Sequence, residues 1–336
     1  MTTTKSTRWH LLTGTLALTI GLAACGGESR STTADQAAAQ QNQAAKGVSK
    51  DINMDQCGKD LRTIKHALGT TTVSGMPNRV VVLEGSFVDA LVALGMSPSG
   101  IADDNDPKFV LPQLKDKMSA FASVGTRAQP NLQVITGLKP DLIIADSERH
   151  KGLYDALTKI APTVAFPSLR ATYQQILDSH TLISQTVNKC AEMTKAINAH
   201  VVMMEGYAKK VPPGEARTVL FAVTWDKGFN SHTNGAFTPS VLRALGLKTI
   251  PESDSAAYAE LTLETLAAAK PDVMFLTRTT SKTLQDGWAA NPVYTSIPAV
   301  ATNQVFTVDS FVWSKSRGLV SAELIAAEAI KTLYST

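Results

Sequence analysis

Large apolar residues recur along this chain in short continuous runs: Val80 to Leu83, Ser99 to Ala102, Leu142 to Ala145, Thr163 to Phe166, Thr218 to Val223, Val273 to Leu276 and Val305 to Val308. Unbroken rather than alternating apolarity suits strands covered on both faces, the condition of a parallel sheet flanked by helices. Each run is followed by a helical pattern, which gives an α/β fold with mostly parallel sheets. A hairpin over Leu61 to Val73, with Gly69 in its turn, precedes the first unit.

The two halves of the chain echo each other. LQVITGLKPDL at 132–142 aligns without a gap with LETLAAAKPDV at 263–273, and Asp89 to Gly95 (DALVALG) resembles Ser240 to Gly246 (SVLRALG). Pro140 and Pro271 each stop a helix and open an extended segment. Two similar lobes are therefore expected, over 51–171 and 213–336. Between them, 172–212 has no glycine before Gly206 and no proline before Pro212, with apolar residues at broadly helical spacing. A single helix of about 35 residues, roughly 50 Å long, would join the lobes as a rigid spine.

The N-terminal pattern is different. Lys5 and Arg8 precede a 14-residue apolar run from Leu11 to Ala24. This is the order of a signal peptide, and the run is shorter than the roughly 20 residues that span a bilayer as a helix. Leu22-Ala23-Ala24-Cys25 resembles the bacterial lipobox, which implies a signal peptide over 1–24, lipidation of Cys25, and an extracytoplasmic protein anchored to the membrane by that lipid. The segment 25–50 has almost no large apolar side chain and is expected to form a disordered tether. Cys57 and Cys190 remain, in a compartment where disulfides persist, and they are expected to pair; the competing reading is two separate buried thiols.

Composition narrows the function. Loss of Lys5 and Arg8 takes two of 32 cations against 29 carboxylates, so the formal charge falls from +3 to +1. That balance carries no field for nucleic acid. There is no Walker-type glycine loop, no Cys-x-x-Cys and no His-Glu-x-x-His, and an enzyme is not expected. His150 reads as a hydrogen-bonded loop histidine, and the pair Asp103 and Asp104 as a cap for the next helix.

Ligands of open parallel sheets bind beyond the carboxyl ends of the strands, and there this chain is rich in arginine. Arg127, Arg149, Arg170, Arg278 and Arg317 all follow strand runs, joined by Phe87, Trp225 and Trp313. Guanidinium forks bind carboxylates bidentately and keep their charge, so an arginine set aimed into one cleft suits a polycarboxylate or other anionic ligand, with tryptophans as flat walls. For any single arginine the competing reading is a solvated or locally ion-paired loop residue.

VVVLEGSFVDALVALGMSPSGIADDND, SVGTRAQPNLQVITGLKPDLIIADSERHKGLYDAL and KIAPTVAF resemble the ferric-dicitrate-binding lipoproteins of iron-uptake ABC importers, as do the shorter FNSHT, SVLRALGL and WSKSRG in the second half. The likeness covers roughly residues 60–336. It implies the class III, helical-backbone substrate-binding proteins: two α/β lobes on one rigid helix, a modest hinge motion, and delivery of a ferric siderophore to an ABC permease. It further implies that Arg127 and Arg149 face the ligand, and that Arg317 is the second arginine of a Trp-rich loop whose first is here Lys315. Ser168-Leu169-Arg170 stands where the family has Ser-Arg-Asn, an arginine moved by one position. Glu264 corresponds to a glutamate that pairs with permease arginines, and its counterpart in the first lobe is Gln133; a plain solvated helix residue is the competing reading for Glu264. No protein ligand to iron, no covalent cofactor and a monomer are expected. Haem, a more lipophilic siderophore, and a surface interaction role on the same fold remain as alternatives.

Overall fold

The computed structural model describes residues 52–253 and 255–334. The signal peptide, Cys25 and the tether lie outside the described residues. An antiparallel hairpin of β1 (Leu61–His66) and β2 (Gly69–Ser74) comes first, with His66 paired to Gly69 across a two-residue turn. The first lobe is a parallel sheet of β3 (Val80–Val82), β4 (Gly100–Ile101), β5 (Ala122–Ser123), β6 (Leu142–Asp146) and β7 (Thr163–Phe166), in spatial order β5-β4-β3-β6-β7.

The second lobe holds β8 (Thr218–Trp225), β9 (Gly228–His232), β10 (Lys248–Ile250), β11 (Tyr258–Glu260), β12 (Val273–Arg278) and β13 (Val305–Thr307). Its order is β11-β9-β8-β12-β13. β10 runs parallel beside the start of β8, while β9 folds back antiparallel along its end. This sheet is mixed where the first is all parallel, because the tight β8–β9 hairpin replaces a helical crossover.

Strand pleating explains the continuous apolar runs. Val80, Val82, Leu142 and Ile144 enter one core of the first lobe, while Val81, Leu83, Ile143 and Ala145 enter a second core on the opposite face. In the second lobe Val219, Phe221, Val273 and Phe275 face one core and Leu220, Ala222, Met274 and Leu276 the other. Successive side chains point to opposite faces, so burial of both faces requires apolar residues at every position.

The repeated Lys-Pro-Asp has a structural purpose. In each lobe its lysine adopts a left-handed conformation (φ +50° at Lys139, +47° at Lys270) that ends a helix, Leu132–Gly137 or Leu263–Ala269. The aspartate then accepts backbone N–H groups at the start of the neighbouring central strand: Asp141 from Arg79 at 2.9 Å, Asp272 from Thr218 at 2.8 Å. One tripeptide thus stops a helix and sets strand register.

The single long helix expected over 172–212 is instead two antiparallel helices, Tyr173–Thr186 and Cys190–Ala208. Asn188 breaks the run at φ +59°, a conformation that asparagine tolerates better than most residues. The N–H groups of Lys189 and Asn188 bond the carbonyls of Ser184 (2.8 Å) and Gln185 (3.2 Å), the paired closure of a Schellman turn. Helical spacing alone did not reveal this stop, because the breaker is neither glycine nor proline. Both helices cross from one lobe to the other. Ile183, Met193 and Ile197 pack in the first lobe's core and Tyr173, Ile176 and Met204 in the second's, and the Tyr173 hydroxyl meets His200 across the pair. The spine is double and, at 19 residues, about 28 Å long.

The helix corner is also where the N-terminal segment is fastened. Cys57 and Cys190 form a disulfide with Cα atoms 6.0 Å apart. Buried Arg62 donates to the carbonyls of Lys59, Asp60, Gly75 and Thr186, the last at the C-terminal end of a helix, where a cation is favoured. The disulfide closes a loop of sequence separation 133. Replacing both cysteines by serine should lower the unfolding free energy by about 2–4 kcal/mol in urea titrations at pH 7.5; an unchanged midpoint and slope would show that the bond does not constrain the unfolded chain.

Candidate functional site: an arginine cradle between the lobes

In the first lobe the chain passes from β3 outward through β4 and β5, then returns to build β6 and β7 on the other side, so the carboxyl ends of β3 and β6 border the switch point where such sheets bind ligands. Glu84 follows β3 there, at the N-cap of the Gly85–Ala93 helix, yet its side chain caps nothing. It turns instead into a wholly buried position, where Arg149 Nε donates to Oε1 at 2.6 Å and Arg317 Nη2 to Oε2 at 2.8 Å, with Arg127 Nη1 3.6 Å from Oε2. Arg149 arrives from the loop after β6, Arg127 from the loop after β5, and Arg317 from the second lobe.

Hydrogen bonds fix each of these loops. Asp146, at the end of β6, accepts the N–H groups of Glu148, Arg149, Ser168 and Leu169, tying the loops after β6 and β7 together. His150 accepts from the Asp146 N–H at 2.9 Å through Nδ1, which leaves Nε2–H to donate to the Arg127 carbonyl at 2.8 Å. Burial favours this neutral form and lowers the histidine's pKa, as its role as a hydrogen-bonded loop residue requires. Asp104, with φ +58°, caps no helix; it takes Arg127 in a fork through Nε (3.0 Å) and Nη2 (2.7 Å), while Phe109 lies under the same guanidinium at 5.0 Å. Asp103 accepts instead from Ser123 and the Asn105 N–H.

Electrostatics keeps the cluster charged. Burial pushes the Glu84 carboxyl up, but Arg317, Arg127 and Arg149 together pull it below the ordinary carboxylate range. Burial likewise raises Asp104, and the bonds and charge of Arg127 more than reverse the effect. Arg317 sits at φ +47°, directly after a π-helical turn over Phe311–Ser316. Such turns and left-handed non-glycine residues collect at functional sites, where surrounding structure holds the strain.

The remaining residues expected to line the cleft separate into two groups. Arg170, exposed and at φ +59°, pairs with Glu148 and lies 5.8 Å over the Tyr258 ring of the opposite lobe, so it marks the rim. Tyr258 in turn packs against buried His232, ring centroids 4.6 Å apart. Two others lie in the cores. Trp313 is fully buried, stacked on Phe275 at 4.7 Å with its Nε1–H on Glu328, and Phe87 is buried in the first lobe's core. Both are core residues because the segments after their strands turn inward to pack before reaching the cleft. Arg278 is forked by Asp286 within its own lobe. Trp225 is half-buried against Gly228 in the β8–β9 turn, where a Cβ would stand 2.1 Å from the indole. Gln133 and Glu264 are exposed at equivalent second positions of the Leu132–Gly137 and Leu263–Ala269 helices. A depression of about 460 Å³ beside the Arg127 loop, lined in part by Asn105, Thr126, Gln129 and Asn131, has no charged lining residue.

Sequence inspection missed Glu84 although it stands in plain view: it is the charged residue that ends the apolar run Val80 to Leu83. Among the described residues no cluster of three or more His, Cys, Asp or Glu side chains could hold a metal ion.

Comparison with known proteins agrees with this architecture. The family model described as periplasmic binding protein matches residues 80–311. The chain belongs to that family. It is 40% identical over 293 residues to an Fe(3+)-citrate-binding protein of Bacillus subtilis, covering 86% of this chain and 92% of the relative. It is 39% identical over 272 residues to the Fe(3+) dicitrate-binding periplasmic protein of Escherichia coli, covering 81% and 90%. Staphylococcus aureus SirA complexed with staphyloferrin B superimposes with a TM-score of 0.72 at 23% identity, covering 81% of this chain and 98% of SirA, a likeness of fold.

The cradle of this periplasmic binding protein also leaves a mark on its acid stability. Burial, and then Arg317, hold His232 neutral down to about pH 3, from an ordinary value of 6.5. The unfolded chain therefore takes up that proton first as pH falls, so stability rises with pH between about 3 and 6.5 and is lost on acidification. Between pH 7.5 and 5.0 this one histidine should cost about 2 kcal/mol. In urea titrations at the two pH values His232→Asn should lose correspondingly less than the wild type; equal losses would exclude a buried neutral His232.

Proposed function

We propose that this protein captures a ferric siderophore of the ferric citrate type between its lobes and delivers it to an ABC permease. The observation that carries this reading is the cradle. Arg149 uses only Nε on Glu84, so its two terminal nitrogens have no acceptor among the described residues, while 21% of its side chain is exposed. A guanidinium edge of that kind, held in a partly desolvated cleft, is suited to a carboxylate oxygen of a chelate. Similarity over most of the chain to two ferric citrate binders of distant bacteria supports the ligand class. The chelator would fill the iron's coordination sphere, which removes any need for protein ligands to the metal. Haem finds less support, since Trp313, one of the two tryptophans that would have faced it, lies in the core.

Lipidation at Cys25 would hold the carrier outside the cytoplasm at the membrane surface. The exposed equivalents Glu264 and Gln133 would meet the permease, one by an ion pair and the other by neutral hydrogen bonds, so docking would be asymmetric.

Tryptophan fluorescence titrated with ferric citrate, a ferric hydroxamate, a lipophilic ferric phenolate and haem should show saturable quenching by ferric citrate. Arg149→Ala should weaken that binding roughly ten- to a hundredfold, the worth of a charged hydrogen bond lost; no saturable response to any of the four would overturn the receptor reading. In cells, Glu264→Lys should slow iron uptake while the purified variant keeps its ligand affinity, and lost affinity would refute a docking role.

A further inference from the structure

We infer that Glu84 is a specificity-determining residue, an internal counter-anion that occupies the arginine cradle as a ligand carboxylate would and so sets how much negative charge an incoming chelate must bring. The inference rests on the ferric-chelate reading above and names a group that the reading does not require.

Three features single Glu84 out. First, an N-cap position ordinarily turns its side chain onto the helix's own N–H groups, whereas this one makes no cap bond and turns into the arginines. Second, both of its oxygens are taken by guanidinium groups from separate loops of the two lobes, at 2.6 and 2.8 Å, in a position with no solvent exposure. Third, the guanidiniums remain unsaturated. Arg317 Nε is buried without an acceptor, and the terminal nitrogens of Arg149 carry no bond among the described residues.

Charge makes the role specific. Arg127, Arg149, Arg317 and nearby Lys315 bring four positive charges, and Glu84 and Asp104 return two negative ones. Among these six groups the positive charges outnumber the negative by two, and buried Asp146, which accepts the Arg149 N–H, stands behind them as a further carboxylate. Without Glu84 the surplus among the same groups would be three, and the guanidiniums would repel one another in a partly desolvated space where water screens them weakly. Glu84 therefore permits the cradle to be preassembled before a ligand arrives, and lowers the attraction it exerts on an anionic ligand.

The test is Glu84→Gln, which keeps size and removes one charge. Without polycarboxylate in the buffer the variant should melt roughly 5–10 °C below the wild type. Millimolar citrate without iron should close most of that gap, because an external carboxylate then supplies the missing charge. Ferric citrate should bind the variant several-fold more tightly than the wild type. A citrate response equal to that of the wild type, or weaker ferric citrate binding by the folded variant, would overturn the inference. Should the single variant resist purification, E84Q/R317Q removes one charge of each sign and orphans no other carboxylate: recovered melting with a wild-type citrate response supports charge balance, and continued instability overturns it. The ferric-chelate reading fails separately, if the wild type binds no ferric chelate while citrate still rescues E84Q.

Discussion

An ionised carboxylate in a space without water is tolerated only if its charge is met by well-placed partners, and Glu84 imposes that constraint on this fold. Three guanidiniums meet it, and no single element can supply them. The loops after β5 and β6 and the segment after the π-helical turn must all arrive at one point. Asp146, His150 and Asp104 hold two of those loops in place: Asp146 and His150 through the Arg149 N–H and the Arg127 carbonyl, which leave the Arg149 guanidinium edge free, and Asp104 through both the N–H and the guanidinium of Arg127.

Because Arg317 belongs to the second lobe, the same constraint is a joint between lobes. It is reinforced by a reciprocal exchange of helix caps. Asp89 of the first lobe accepts the N–H groups of Leu319 and Val320, which begin the helix Leu319–Tyr334, at 2.9 and 3.0 Å. Ser240, its counterpart in the second lobe, accepts the N–H of Tyr173, the first residue of the helix Tyr173–Thr186, at 2.7 Å. Gly318 allows the first contact, since a Cβ there would overlap Asp89 at 2.3 Å. Each lobe thus satisfies the opening turn of a helix that packs against the other, where orphan N–H groups would otherwise be left in a buried junction. Together with two antiparallel spine helices, these caps describe lobes joined at several points around the cradle.

Much of this was legible beforehand. Doubly covered strands leave a continuous apolar run, so all seven runs are strands, and the Lys-Pro-Asp repeat reports a real correspondence between lobes because the tripeptide both stops a helix and pins a strand. Arginines at strand ends could be named for the same reason: position after a parallel strand is a property of the local sequence. Side-chain direction is not. Trp313 and Phe87 also follow strands, yet packing draws them into the cores, and Arg278 is claimed by Asp286 eight residues away. The helix stop at Asn188 was hidden for a related reason, since asparagine permits the left-handed conformation without enforcing it as proline enforces a break.

The class of fold, the two related lobes and the cationic character of the strand ends can be read from the residues alone, because periodicity, turn chemistry and formal charge are local quantities. The tertiary structure alone decided which arginines converge, that a carboxylate stands at their centre, and that the two lobes share it. Those facts depend on contacts such as Glu84 with Arg317, 233 residues apart in the chain, and the energy of a buried charge depends on what surrounds it in space, not on what adjoins it in sequence.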